Sequence, residues 1–485
     1  MIARLGISLT VGVFVTTYII RSLSVKDYGV YTVLYSLIGY VSVIGSFGIP
    51  EVFRRFIPEA LQKEDYSLLR RLIFRGLALR LILSAATVGI IFMLHGPIGR
   101  LLKLEGFIDY FAIFAFGIVL SLEASLMTSV LHSLFLHKYS VIASTVHTVF
   151  RGACVFVLLK MGWGIRGVLW AEVFSWGLWT LIQLFFYRIH FKRLHPITKT
   201  TRLPLKRYFR YGGFSALNEI SGTPLGVSTD FFIITAFLGP GAVALYAFAD
   251  RVIKLFLHCM PHLFLIDVIR PSFFSKYAES GNKQHLAEMF NILLKIGAFT
   301  VFPLAAGVIV IGDKMIVNVF KPDYLPALPI LWTLALFSAI NIFFQPTGLV
   351  LKALEQIHVL FYSKIFAAYN LFAALLVIQR FGVMGVVLVS CSAVLMKNLF
   401  LFWQMKKLVR FKLDWPGLLK ISINSTVMAL ALLPLRNWAY NLSHLVAVAI
   451  IGVCIYLVFS FMNKSFTSKE RGWINRIVPR PLFVF

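Results

Sequence analysis

The chain has 485 residues, 59% of them hydrophobic, and a mean hydropathy of +0.84. Soluble domains are about half apolar, so this composition excludes a water-soluble enzyme or binding module and makes lipid the solvent in which the chain folds. The net charge of +27, from 47 Lys and Arg against 20 Asp and Glu, must first be read against membrane topology and only then against nucleic acid.

A hydrocarbon core about 30 Å thick takes about 20 apolar residues per helix. Fourteen such stretches run along the chain, at 2–20, 28–47, 72–94, 107–132, 139–159, 164–187, 211–238, 241–264, 287–311, 326–350, 356–379, 381–403, 418–435 and 443–462. The first begins after Arg4 and has the look of a secretory signal. Ser22-Leu23-Ser24 is a poor cleavage site, however, and thirteen spans follow, so it reads as a retained helix. Cys154, Cys259, Cys391 and Cys454 all fall within spans, where a small buried apolar residue is expected and neither a disulfide nor a metal site.

If the amino terminus is cytoplasmic and the spans alternate, most Lys and Arg outside the spans fall on the even-numbered connections and the tail. Positive-inside bias thus explains most of the basicity, and both termini are expected in the cytoplasm. The densest stretch holds Arg188, Lys192, Arg193, Lys199, Arg202, Lys206, Arg207 and Arg210, with Pro196 and Pro204 between them. It reads as a cytoplasmic linker on anionic headgroups, each cation contributing about 1 kcal/mol, or as simple topogenic charge. No zinc spacing or aromatic-interleaved basic fold accompanies it, so nucleic acid is not an expected partner.

The linker divides the chain into a six-helix bundle at 1–187, the linker at 188–210, a second six-helix bundle at 211–405, and two further helices with a basic tail at 406–485. A weak internal echo supports two halves. Tyr28-Gly29-Val30-Tyr31 and Pro58-Glu59-Ala60 are answered by Val243-Ala244-Leu245-Tyr246 and Lys276-Tyr277-Ala278. Repeats of this kind underlie bundles that rock about a central site. The expected fold class is therefore an all-α polytopic membrane protein of about fourteen helices, two pseudo-symmetric bundles and two carboxy-terminal helices.

Four segments carry a family resemblance. Arg21 to Tyr31 (RSLSVKDYGVY) resembles the element joining the first two helices of polysaccharide and O-antigen flippases, Wzx-type members of the multidrug/oligosaccharidyl-lipid/polysaccharide (MOP) exporter superfamily. Gly45 to Glu59 (GSFGIPEVFRRFIPE) resembles the turn and amphipathic segment after their second helix. Lys321 to Ala327 (KPDYLPA) and Arg380 to Gly385 (RFGVMG) resemble the stretches before helices ten and twelve. The resemblance spans essentially the whole chain. It implies a MATE-like fold in the inner or plasma membrane and no covalent chemistry. It also implies alternating-access transfer of a polyprenyl-diphosphate oligosaccharide to the outer leaflet for O-antigen, capsule or exopolysaccharide assembly. Membrane lipids and a polysaccharide polymerase or assembly protein are the other partners it suggests. No cofactor is expected beyond a coupling ion, H+ or Na+.

Ionisable residues within spans are costly and usually face an interior or aqueous cavity. Asp250, Lys254 and His258 recur every four residues and stack on one helical face, with Arg251 beside them. Arg75 and Arg80 lie in the third span, His147 and Arg151 in the fifth. Lys295, Lys364 and Lys397 lie in or near the ninth, eleventh and twelfth. Against these cations stand Glu123, Glu172, Glu219, Asp230 and Asp250, an excess of about three positive charges that would draw an anion into a low-dielectric lumen.

Guanidinium forks suit phosphate. The candidates for headgroup contact are Arg75, Arg80, Arg151, Arg251 and Lys254, then Lys295 and Lys364; interhelical ion pairing or snorkelling is the alternative for each. Glu219 and Asp230, eleven residues apart on one expected helix, share a face. With Glu123, Glu172 and Asp250, they are candidates for ion coupling or charge balance. Asn341 and Gln345, before Pro346, either line the cavity or bond neighbouring helices. Gly222, Pro224, Gly226 and Pro303 are expected to permit close packing or kinks.

A polymerase or ligase would need a long outer loop, and the longest odd-numbered connection is about 15 residues. No GxxxxGK[ST] phosphate loop is present, which disfavours an ATP-driven pump. The remaining alternatives are a cation-coupled multidrug exporter of the same superfamily, disfavoured by the basic lumen, and a peptidoglycan lipid-precursor flippase.

Overall fold

The computed structural model describes residues 2–104, 106–192, 205–260, 281–409 and 412–477. Arg193, Lys199 and Arg202 of the basic linker, the end of the eighth expected span and the Lys276-Tyr277-Ala278 echo lie outside the described residues. Among those described there is no strand, and helices occupy all fourteen expected positions. Ten are long and apolar enough to cross a membrane by length and composition, or eleven if one bent pair is a single span. The chain forms two compact units, Met1–Ala244 and Leu245–Phe485.

The first unit contains α1 (Ile2–Ser22), α2 (Val25–Ser46), α3 (Ile49–Gln62), α4 (Tyr66–Met93), α5 (His95–Leu101), α6 (Phe107–Ser133), α7 (His137–Lys160), α8 (Gly164–Lys192), α9 (Leu205–Gly222) and α10 (Val227–Leu238), and ends within α11 (Pro240–Cys259). Ser24 caps α2 by accepting from the Asp27 amide at 3.0 Å. Helix α3 is the amphipathic segment anticipated after the second span. Its stripe of Ile49, Val52, Phe53, Phe56, Ile57 and Ala60 packs on Leu69, Leu72 and Ile73 of α4, Leu126, Met127 and Val130 of α6, and Tyr208 of α9. Gly48, at φ 69°, turns the chain into α3. A Cβ there would lie 2.0 Å from the Gly212 carbonyl oxygen, so only glycine allows α3 to start against α9.

One expected helix is broken. The stretch read as a single span at 211–238 is α9, a 3-10 turn at Thr223–Leu225 and α10, bent by 51°. Pro224 has no amide hydrogen to continue the ladder, and Gly226 is extended at ψ 143°. The expectation that Glu219 and Asp230 share one helical face is thereby overturned: Asp230 is buried on α10, whereas Glu219 is exposed on α9.

The second unit continues with α12 (Lys283–Val319), α13 (Leu328–Asn341), α14 (Thr347–Ala353), α15 (Ile357–Tyr362), α16 (Ile365–Leu408), α17 (Trp415–Leu435), α18 (Leu442–Asn463) and α19 (Ser468–Ile477). At 44 residues α16 would be about 66 Å long, twice a hydrocarbon core. Gly382 interrupts it at φ 57°, ψ −147°, which supplies the turn expected between the eleventh and twelfth spans. Helix α12 is the hub of this unit and packs on α13, α17 and α18.

Lys295 of α12 is 1% exposed and donates to Asp414, the cap of α17, at 2.5 Å and to Glu470 of α19 at 2.7 Å. Its ammonium also lies 5.3 Å from the Phe466 ring centroid. One buried cation thus joins three helices. Removing one partner of a buried ion pair costs about 3–5 kcal/mol. Lys295→Met is therefore expected to lower stability in detergent by that order, with Glu470→Gln losing part of it, as read by the thermal midpoint of the purified protein.

Candidate functional site

In the first unit α2 carries a polar ladder. Tyr31, Tyr35, Ser42 and Ser46 lie at offsets of 4, 11 and 15 residues, which at 3.6 per turn places all four on one helical face along about 22 Å of rise. At one end the Arg151 Nε of α7 donates to both Glu172 oxygens of α8 at 2.9 Å, and its Nη2 donates to Oε1 at 2.6 Å. The Tyr31 hydroxyl donates to the same Oε1 at 2.8 Å and accepts from Arg151 Nη2 at 3.3 Å. Glu172 is fully buried. This triad is neutral overall, and its hydrogen bonds are charge-assisted.

The next rung is aromatic. Tyr35, partly exposed, lies 5.8 Å from the Tyr31 ring, 6.2 Å from Trp176 and 6.5 Å from Phe114. Beyond it Arg80 of α4, only 2% exposed, donates to the Ser42 carbonyl at 3.3 Å and to its hydroxyl at 3.4 Å. Glu123 on α6 and Glu219 on α9 act on Arg80 electrostatically, yet neither makes an ion pair with it among the described residues. Arg80 Nε, Glu123 Oε1 and Ser84 Oγ are buried without a hydrogen-bond partner. At the far end the Ser46 hydroxyl donates to Glu219 at 3.4 Å. On the opposite face of α2, Tyr40 bonds Thr229 of α10 at 2.5 Å, beside buried Asp230.

The structure therefore brings Arg80, Glu123 and Glu219 together, and pairs Arg151 with Glu172. Arg75 is apart from both groups: it is exposed and lines a small apolar pocket with Phe47, Phe53 and Leu205. His147 stacks on Trp179 at 4.8 Å.

In the second unit Asp250, Lys254 and His258 do share a face. Lys254 Nζ donates to Asp250 at 2.7 Å, and the His258 ring bonds the Lys254 carbonyl. Arg251 is exposed. Lys364 precedes α16, 5.8 Å from the Phe361 ring centroid, and Lys397 is half-buried on α16. Lys295 is paired with Asp414 and Glu470 and is only 1% exposed, so it is closed off from a substrate. Asn341 accepts from Asn398 of α16, the interhelical reading, and Gln345 is exposed. All four cysteines are free thiols, and Cys259 and Cys454 are exposed where buried positions were expected. No cluster of metal-ligating residues occurs among the described residues.

The rungs that α2 supplies were not among the candidates. Their signal is the recurrence of Tyr and Ser at helical spacing in Tyr28 to Ser46, which on its own resembles ordinary packing.

A family model described as polysaccharide biosynthesis protein matches residues 19–329, more than half of the chain. The chain belongs to this polysaccharide biosynthesis protein family. The chain is 26% identical over 196 residues to the teichuronic acid biosynthesis protein TuaB of Bacillus subtilis. That alignment covers 39% of this chain and 39% of TuaB, so it spans well under two thirds of the relative. The lipid II flippase MurJ, in an inward closed conformation, matches with a TM-score of 0.72 at 16% identity over 94% of this chain and 96% of MurJ. An inward-facing multidrug resistance MATE family transporter of the MOP superfamily matches at 0.67 and 16% identity, over 84% and 98%. The chain is thus an all-α, multi-pass membrane protein with the fold of MurJ and the MATE transporters.

Proposed function

We propose that the protein is a flippase that moves a polyprenyl-diphosphate-linked oligosaccharide from the cytoplasmic to the outer leaflet of the cell membrane by alternating access. The observation that carries this reading is Arg80. A guanidinium at the centre of a bilayer costs at least about 2.5–3.5 kcal/mol. In Arg151 that cost is offset by Glu172, Tyr31 and three good hydrogen bonds. Arg80, at 2% exposure, is more enclosed, yet among the described residues it has two long hydrogen bonds, a buried Nε with no partner and no ion pair. A buried cation with spare donors, beside hydroxyls and aromatic rings on α2, suits a phosphate bearing a sugar. Family membership supports the saccharide, and likeness to a lipid II flippase fold supports a lipid carrier.

On this reading the termini are cytoplasmic, Glu123 is the carboxylate best placed to exchange a proton as the charge at Arg80 is met and released, and polymerase or assembly proteins act on the product. The test is transfer of a fluorescent polyprenyl-diphosphate oligosaccharide across proteoliposomes. Movement of this lipid supports the flippase. Expulsion of cationic dyes on an ion gradient, with no lipid movement, replaces it with a multidrug exporter; transfer restricted to lipid II replaces it with a peptidoglycan-precursor flippase.

A further inference from the structure

Between amphipathic α3 and the start of α9 lies an open groove of about 1060 Å³, lined by Arg55, Lys206, Arg207 and Arg210 over an aromatic floor that includes Phe56 and Tyr211. Its four cations are not equivalent. Arg207 is held by Glu59 at 3.0 Å and lies 4.7 Å from the Phe56 ring. Hydrogen bonds from Lys63 and Arg207 keep the Glu59 carboxyl down at about 2, so this pair stays ionised at any working pH. Arg55, Lys206 and Arg210 are exposed and have no ion-pair partner among the described residues. Leu205 lines both this groove and the neighbouring apolar pocket of about 80 Å³, formed with Phe47, Val52, Phe53, Leu72 and Leu79 and edged by Arg75.

A tricationic groove joined at one residue to an apolar slot is complementary to a molecule with several negative charges on one end and a hydrocarbon chain on the other. Helix α3 packs its apolar stripe on α4, α6 and α9 and turns Arg54 and Arg55 outward, a cationic face that anionic headgroups attract. Both α3 and the start of α9 belong to even-numbered connections, the cytoplasmic side on the charge bias. A phospholipid phosphate carries about one charge, whereas a diphosphate esterified to a polyprenyl chain on one side and a sugar on the other carries two, one per phosphate, and farnesyl diphosphate, with a free terminal phosphate, two or three; three unpaired cations suit either better than a phospholipid.

We infer that this groove is a loading site that holds the diphosphate of the polyprenyl-linked saccharide in the cytoplasmic leaflet, its first isoprene units lying in the apolar pocket, before transfer to the Arg80 region. The inference rests on the flippase reading for the identity of the saccharide carrier, but the recognition chemistry is that of any polyprenyl diphosphate.

The experiment titrates farnesyl diphosphate into the full-length protein in phosphatidylcholine nanodiscs, with inorganic diphosphate and farnesol as head-only and tail-only probes. Wild type is expected to bind farnesyl diphosphate more tightly than either. Arg55→Gln/Lys206→Gln/Arg210→Gln is expected to weaken it by roughly a hundredfold, the sum of three surface cations, and Arg55→Lys/Arg210→Lys to stay within a few-fold of wild type. Should the triple variant fail to fold, Arg210→Glu alone must weaken binding at least about fivefold. Unchanged binding in these variants, or complete displacement by phosphatidylglycerol in the nanodisc, overturns the loading site. If binding depends on the three cations but no lipid-linked saccharide is flipped, the flippase reading fails, and the groove stands as a polyprenyl-diphosphate binding site with no loading role. If flipping proceeds in the triple variant at the wild-type rate, the loading site fails alone.

Discussion

Glu172→Ala is expected to lower the folding stability of the protein by about 3–5 kcal/mol, because it leaves Arg151 enclosed with no counter-charge. Arg151 is only 16% exposed and Glu172 not at all, so little solvent can compensate. The Tyr31 hydroxyl, which donates to the same carboxylate, loses its acceptor as well. The double variant Arg151→Met/Glu172→Leu, in which both charges are replaced by apolar groups of similar bulk, should recover most of the loss. Thermal midpoints and chemical unfolding of the purified protein in detergent decide this through a double-mutant cycle. Equal losses in the two single variants and the double variant would mean that the helix contacts of α7 and α8, rather than the ion pair, carry the energy.

Arg80→Met should behave in the opposite way. Among the described residues Arg80 makes two long hydrogen bonds and no ion pair, so the folded state loses little, about 1 kcal/mol or less, when it is replaced by an unbranched apolar chain. Transfer of the lipid-linked oligosaccharide is expected to fall at least tenfold, since the spare buried donors are removed at about 1.5–3 kcal/mol for a hydrogen bond to a charged group. Arg80→Lys should restore part of the rate, as a point charge without the planar fork. Measured at matched folded amounts, a variant that loses stability and keeps its transfer rate would place Arg80 among the structural pairs with Arg151 and Lys295.

The contrast between these residues explains what could be read from the chain before its folding was known. Helix positions were legible because a bilayer imposes one length and one composition on every span, and even the turn at Gly382 is marked by Arg-Phe-Gly at the end of an apolar run. The break at Pro224 was visible as a proline between two glycines. Its consequence, that Glu219 and Asp230 leave a common face, depends on the extended backbone at Gly226, which residue types alone do not specify. Charges within spans were legible as costly. Their partners were not: Glu172 meets Arg151 from the next span, and Asp414 and Glu470 reach Lys295 across 119 and 175 residues. The tyrosines and serines of α2 were hidden for another reason. A phenol or hydroxyl can satisfy itself on its own helix, as Thr32 does on the Tyr28 carbonyl, so its type does not reveal whether it faces a neighbour, a cavity or lipid.

The central claim is transport, and one measurement addresses it most directly: the rate at which a fluorescent polyprenyl-diphosphate oligosaccharide becomes accessible on the far side of proteoliposomes holding wild type or Arg80→Met. The account requires wild type to move the lipid and Arg80→Met, equally folded, to move it at least tenfold more slowly. A wild-type protein that leaves the lipid in its original leaflet, or an Arg80→Met protein that matches the wild-type rate, would contradict it.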